Sequence, residues 1–148
     1  MSFFSKLRRE PADETLVRAM LVPSVSAIMA DGDMQAEEVS MLSNLCMFSP
    51  IFHTIPPERL AEIVRELIAE IMEEGGEAKL NAAAAQLTPG QRETAFCFVA
   101  RIVLADGVTG EREKMALEKI SAVLEIDAAL QAQIQTVIGM LQRPAFYG

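Results

Sequence analysis

Apolar side chains recur along most of this chain at the three- and four-residue spacing of an amphipathic helix. The clearest stripe consists of Leu60, Ile63, Val64, Leu67, Ile68 and Ile71. It predicts a helix that opens at Pro56-Pro57 and ends at Gly75-Gly76, because proline suits a first helical turn and glycine suits a helix end. Similar patterns predict six further helices at about 11–30, 35–47, 78–87, 88–106, 111–124 and 127–143. With no strand signal between them, they indicate an all-α fold of about seven helices.

Local signals refine three of these helices. Thr88 followed by Pro89 predicts a capped start for the fifth helix, and Asp127 predicts a cap for the seventh. Pro23 lies inside the first helix and is expected to kink it, because proline removes one backbone hydrogen bond. A short 3₁₀ turn is expected between Phe52 and Ile55.

Two Ala-Asp-Gly turns indicate that one helical unit is used twice. Asp31-Gly32 and Asp106-Gly107 lie 75 residues apart, and each ends one apolar helix and opens another. Glu38 and Glu113 match at the same offset. The repeat predicts one domain over residues 11–148, with halves of about 11–75 and 76–148 in a pseudo-two-fold bundle. Residues 1–10 form a short N-terminal segment before it.

Carboxylates crowd around both turns. They are Asp31, Asp33, Glu37 and Glu38 at the first turn and Asp106, Glu111 and Glu113 at the second. Oxygen ligands of this kind suit hard cations such as Ca²⁺, Mg²⁺ or Mn²⁺. The same residues also suit turns and helix caps, because a glutamate at the third helical position accepts a hydrogen bond from the N-cap backbone. Spacing alone leaves cation binding and capping both open.

Composition narrows the classes of partner. A net charge of −8 argues against nucleic acid, because an acidic surface repels phosphate. No apolar run reaches the ~18 residues of a membrane span, and the N-terminus lacks a signal-peptide core, so a cytoplasmic location is expected. Cys46 and Cys97 have no metal-ligand or redox spacing and are expected in the core.

Catalytic motifs are missing from the sequence. His53 is the only histidine, and no nucleophile–base pair or phosphate loop accompanies it. We therefore expect no enzymatic activity. The basic and aromatic N-terminus, with Phe3, Phe4, Lys6 and Arg8, fits either contact with an anionic membrane or partner, or local packing.

The repeated Ala-Asp-Gly pattern, with its glutamate six residues after the glycine, resembles the tellurite-resistance TerB family over about 13–143. It is also similar to the N-terminal helical domain of some membrane-anchored DnaJ-like co-chaperones. The resemblance implies a helical bundle of two similar halves, a link to stress responses, and metal chelation by clustered acids. By position it implies Asp31, Glu38, Asp106 and Glu113 as ligands.

The two halves differ within this motif, because Val108 stands opposite Asp33 and Arg112 opposite Glu37. If only one turn holds an ion, the first is therefore the better candidate; binding by both turns would use Asp31, Asp33, Glu38, Asp106 and Glu113. The resulting hypothesis is a cytoplasmic, non-enzymatic module, peripheral at the inner membrane, that binds a divalent cation and docks on a protein partner. The alternative hypothesis is a metal-independent interaction or homodimerisation module.

Overall fold

The computed structural model describes residues 14–30, 36–104 and 110–145. Within those ranges the chain forms α-helices and one 3₁₀ turn, with no strand, so the predicted all-α fold is confirmed. The helices are α1 Glu14–Met29, α2 Ala36–Phe48, α3 Pro57–Glu74, α4 Gly76–Gln86, α5 Pro89–Val103, α6 Glu111–Val123 and α7 Ala128–Leu141, with the 3₁₀ turn at Pro50–Phe52. Their positions agree with the predicted helices to within a few residues.

Helix α1 is the centre of the bundle. It packs most closely against α5, α4 and α3, and it also contacts α6 and α2. After the polar residues of its first turns, the helix is almost entirely buried from Ala19 to Ile28, and Met20, Leu21 and Val25 are almost completely inaccessible to solvent. The helix continues through the buried Pro23, so the kink expected there stays a prediction.

Two of the predicted helix starts are confirmed. The Thr88 hydroxyl accepts a hydrogen bond from the Gln91 N–H at 3.2 Å, and the Gln91 side chain accepts one from the Thr88 N–H at 2.9 Å. This reciprocal pair satisfies two backbone donors at the start of α5. The Asp127 carboxylate accepts the Ala129 N–H at 3.5 Å and caps α7.

Ion pairs join α3 to α1 and α4. Arg59 on α3 meets the Glu14 carboxylate through two nitrogens, each at 2.8 Å, and also contacts Glu66 at 2.8 Å. Hydrogen bonds from Arg59 hold the pKa of both glutamates below its usual range. Farther along, Arg18 bridges Glu66 to Glu70, and Lys79 on α4 contacts Glu70 at 3.3 Å. The acidic face of α3 is thus tied to two neighbouring helices.

The two cysteines differ in burial. Cys46 on α2 is 1% exposed, and desolvation raises the pKa of its thiol to about 12, so its prediction as a core residue is confirmed. The same prediction for Cys97 is wrong, because that side chain is exposed. Cys97 lies on α5 between Phe96 and Phe98, and its side chain faces solvent while those of both phenylalanines are buried.

Candidate functional site

Three of the five predicted cation ligands lie outside the described residues. These are Asp31 and Asp33 in the first connection and Asp106 in the second. The other two, Glu38 and Glu113, lie in the first turns of α2 and α6, and both are half-buried. The structure therefore describes the helix starts beside the predicted site, but not the three aspartates.

Glu113 takes part in the start of α6. Its Oε2 atom accepts the backbone N–H of Gly110 at 3.3 Å, the same bond that Gln91 provides at the start of α5. The capping alternative is therefore confirmed for this residue. A carboxylate has two oxygens and about four acceptor positions, so a cap through one oxygen is compatible with ligation of a cation.

A groove of about 480 Å³ lies at the end of α1 and the start of α6, and we call it the α6 groove. Its lining residues are Ser26, Ala30, Gly76, Glu77, Leu80, Arg112, Met115, Ala116, Lys119 and Ile120. Ala30 directly precedes the first connection, and Arg112 follows the second by three residues. One end of each connection therefore lies at this groove.

A second groove, of about 560 Å³, lies along α2 and the end of α5, and we call it the α2 groove. It is lined by Ala36, Glu37, Ser40, Met41, Asn44, Leu45, Phe48 and Arg101. Ala36 directly follows the first connection, and Arg101 lies shortly before the second. Each connection therefore has one flank near the α6 groove and the other flank near the α2 groove.

The two grooves are built from equivalent positions of the repeat. Residues 75 apart line them in pairs, which are Arg101 and Ser26, Glu37 and Arg112, Ser40 and Met115, Met41 and Ala116, Asn44 and Lys119, and Leu45 and Ile120. The helix contacts follow the same relation, because α1 contacts α6 and α5 contacts α2. This correspondence supports the predicted pseudo-two-fold relation between the halves.

Charge distinguishes the grooves. The α6 groove carries Arg112 and Lys119, and the Lys119 ammonium lies 3.5 Å from the Glu77 carboxylate. The α2 groove carries Glu37 and Arg101. Sequence reasoning did not identify either groove, although the 75-residue alignment that pairs Glu38 with Glu113 also pairs their lining residues.

Other candidate chemistry is sparse in the part of the chain that the structure describes. His53 is exposed at the end of the 3₁₀ turn. Across 14–30, 36–104 and 110–145, no three acidic, cysteine or histidine side chains are grouped closely enough to hold a metal ion. Within the same ranges, no helix is both long and apolar enough to cross a membrane.

Comparison with known proteins identifies the family. The family model described as Tellurite resistance protein TerB matches residues 17–136. That range includes both Ala-Asp-Gly connections and every residue that lines the two grooves. No curated protein and no solved structure matches the chain. Because the family match covers most of the 148 residues, the resemblance is confirmed, and the chain belongs to the TerB family.

Proposed function

We propose that this chain is a non-enzymatic interaction module in which a divalent cation links the two Asp-Gly connections. The observation that carries the proposal is the placement of the helix ends that flank them. Ala30 and Arg112 line the α6 groove, while Ala36 and Arg101 line the α2 groove. One flank of each connection therefore lies at the α6 groove and the other at the α2 groove, an arrangement in which ligands from the two halves can meet.

The proposed ligands are carboxylates from both halves. They are Asp31, Asp33, Glu38, Asp106 and Glu113. A donor set of oxygens alone favours Ca²⁺, Mg²⁺ or Mn²⁺ over the softer metals that prefer cysteine and histidine. Bound there, the cation would neutralise like charges that otherwise repel one another and would stabilise the contact between the halves.

Docking on a protein partner would use the α6 groove. Its floor includes the buried Leu80 and Ile120, and Met115 on its rim is 65% exposed. Arg112, Lys119 and Glu77 also line it, and Lys119 pairs with Glu77 at 3.5 Å, so the groove carries one net positive charge in a protein of net charge −8. An amphipathic partner with an acidic group beside an apolar side chain fits this combination. The proposed setting is the cytoplasm, peripheral to the inner membrane.

Thermal unfolding of chelator-treated protein tests the cation proposal. A cation at 100 times its dissociation constant should add about 2.7 kcal/mol, since it binds the folded state. We expect one of Ca²⁺, Mg²⁺ or Mn²⁺ to raise the melting temperature, and Asp31→Asn with Asp106→Asn to abolish the rise. Glu58→Gln with Glu73→Gln is the matched control, because both glutamates are exposed on α3 and the charge changes equally. An equal response in the aspartate variant would refute the site.

Glu113→Gln separates capping from ligation. Gln91 shows that glutamine can accept the N-cap N–H, so this substitution keeps the cap while it removes the carboxylate. We expect normal stability without metal and a weakened response to the cation. If both the stability and the cation response are normal, Glu113 caps α6 but is not a ligand of the cation.

A second candidate function is homodimerisation through α7 without metal. From Ala128 to Leu141 this helix carries no charged residue, and it exposes Val137, Met140 and Leu141 by half or more of their surfaces. Val137→Glu with Leu141→Glu would then convert a dimer into a monomer in light scattering. Met72→Glu on α3 is the control, because Met72 is even more exposed than Val137 and Leu141 but stands among charged residues. A wild-type monomer at high concentration would exclude this candidate.

A further inference from the structure

We propose that the α6 groove binds the free C-terminus of a partner protein whose last residue is apolar. In this role, which rests on the docking function proposed above, the groove recognises a main-chain carboxylate together with the apolar side chain beside it. Three features meet where α1, α4 and α6 line the groove. They are the Ser26 hydroxyl, the first turn of α4 at Gly76 and Glu77, and the Lys119 ammonium. We call this part of the groove the anion end.

The start of α4 brings backbone donors to the anion end. Its N-cap residue is Gly75, which has no side chain to cap the helix, and Gly76 and Glu77 of its first turn line the groove. The first N–H groups of a helix have no partner within the helix, and the helix dipole favours a negative charge beside them. A carboxylate is therefore favoured at this position.

The Ser26 hydroxyl is a further donor beside the start of α4. Its oxygen is inaccessible to solvent and has no hydrogen-bond partner within the described part of the chain. A Cβ added at Gly76 would lie 4.0 Å from this oxygen, so the hydroxyl adjoins the first turn of α4. A buried hydroxyl without a partner is unfavourable. A small turn of this side chain toward the groove would give it a carboxylate oxygen as acceptor.

Lys119 supplies the positive charge of the anion end. Its ammonium lies 3.5 Å from the Glu77 carboxylate, and both side chains are more than half exposed. Because an exposed pair of this kind contributes little to stability, Lys119 can exchange Glu77 for the carboxylate of a ligand. With Arg112 included, the groove carries one net positive charge, which one carboxylate neutralises.

Apolar surface lies directly beside the anion end. Leu80 and Ile120 are each 3% exposed, and Met115 continues the apolar surface along α6. A C-terminal residue carries its carboxylate and its side chain on the same Cα, so both can reach these neighbouring features at once. The volume of about 480 Å³ suits a short chain end. A whole helix, with a diameter of about 10–12 Å, needs more room.

The far part of the groove favours a peptide over an aliphatic acid. Arg112 lies seven residues before Lys119 on α6, which is about 10 Å along the helix axis. A peptide that runs from the anion end toward Arg112 presents backbone carbonyl oxygens to its guanidinium. An aliphatic chain would place methylene groups there instead, and these offer no acceptor.

The α2 groove lacks this combination and serves as an internal control. Asn44 stands at the position equivalent to Lys119, and the charges of Glu37 and Arg101 cancel. Among the described residues, only α2 and α5 line this groove, so it has no side like the one that α4 forms. A peptide that is recognised through its carboxylate should therefore distinguish the two grooves.

Titration with defined peptides, followed by nuclear magnetic resonance, tests the assignment. The probe is acetyl-Ala-Ala-Ala-Leu with a free C-terminus, and its control is the same peptide with a C-terminal amide. We expect the acid to shift the amide signals of Gly76, Glu77 and Ile120 and to leave those of Met41 and Leu45 in the α2 groove unchanged. The amide should bind about tenfold more weakly, because it cannot form the charge-assisted hydrogen bonds.

Substitutions in the groove locate the carboxylate. Lys119→Gln should weaken binding of the acid by about tenfold, whereas Lys114→Gln makes the same charge change outside the groove and should have little effect. Glu77→Gln should tighten binding by about threefold, because Lys119 loses its competing partner. Glu118→Gln, also outside the groove, is the matched control for that change. Ser26→Ala should weaken binding of the acid but not of the amide.

Four outcomes would overturn the assignment. Equal binding of acid and amide would show that no main-chain carboxylate is recognised. Tighter binding of octanoate than of the acid peptide would assign the groove to aliphatic acids. If acetyl-Ala-Asp-Ala-Leu-amide binds as well as the acid, an internal acidic side chain is recognised, so the docking function stands while the C-terminal assignment fails. If no peptide shifts the signals of the α6 groove, docking by this groove is refuted as well.

Discussion

The α6 groove and the α2 groove use equivalent positions of the two halves, yet the same positions differ in burial and charge. Ile120 is buried beside Leu80, while Leu45 is half-buried. Arg112 stands where the other half has Glu37. The repeat therefore determines which residues face a groove. The neighbouring helix and the individual side chains determine what the groove can accept.

Helices α3 and α7 show a similar contrast. They are also equivalent in the repeat, because the residue numbers of α3 overlap those of α7 when 75 is added to them. Helix α3 carries a row of glutamates, several of which pair with Arg59, Arg18 and Lys79. Helix α7 carries no charge and leaves Val137 and Leu141 largely exposed. Ion pairs within the chain therefore attach α3 to its neighbours, whereas α7 leaves an apolar face exposed to solvent.

The largest effect should come from truncating the equivalent apolar residues of the two grooves. Ile120→Ala should lower the free energy of unfolding by about 3 kcal/mol, because it removes buried methyl groups and leaves a cavity. Leu45→Ala should cost about 1 kcal/mol, since Leu45 is already partly in water. Urea unfolding of both variants gives the difference. Equal losses would show that the grooves are equally packed.

A smaller effect should come from breaking the ion pairs of α3. In the folded protein the pKa values of Glu14 and Glu66 lie below the ordinary value of 4.5, chiefly because both accept hydrogen bonds from Arg59. Their stabilising contribution is present above that value and is lost as the pH falls through the lower folded values. Arg59→Gln should therefore lower stability at pH 7 and flatten its decline in acid.

Urea midpoints measured from pH 7 to pH 3 check this dependence. Arg65→Gln is the control, because Arg65 is an exposed cation on the same helix. If Arg59→Gln and Arg65→Gln give identical pH profiles, the ion pairs of Arg59 contribute nothing to the attachment of α3.

The smallest effect should come from two glycines at helix ends. Gly110 begins α6 with φ −74°, and an added Cβ meets no atom within 4 Å, so Gly110→Ser should stabilise by about 0.5 kcal/mol. Gly75 has φ 92°, which side chains other than glycine rarely adopt, so Gly75→Ser should destabilise by about 1 kcal/mol. Thermal unfolding in the presence of chelator measures both changes in stability. If both substitutions stabilise the protein, or both destabilise it, the assignment of backbone strain to Gly75 is wrong.

Helix positions were predictable from the sequence because apolar spacing and capping residues are local signals. Thr88-Pro89 and Asp127 act through bonds to residues two or three positions away, and the structure contains both caps. The exposure of Cys97 was not predictable in this way. Its helix buries Phe96 and Phe98 on either side of it, and only packing in three dimensions decides which residue of such a stretch faces water.

The candidate site was predictable in part. Repeat spacing identified Glu38 and Glu113 as equivalent, and the structure places both in first helical turns. The grooves were not predicted, because each combines helices that are distant in sequence. Asp31, Asp33 and Asp106 lie outside the described residues, so their roles as ligands stay predictions.

The most direct test of the central claim, that both connections bind one cation, is paramagnetic broadening by Mn²⁺ in the nuclear magnetic resonance spectrum. Substoichiometric Mn²⁺ should broaden the amide signals of Ala30, Ala36, Leu104 and Gly110 together, because these residues flank the two connections. Added Ca²⁺ or Mg²⁺ should restore the signals if it competes for the same site. Broadening centred on the glutamates of α3, or confined to the flanks of one connection, would contradict the account.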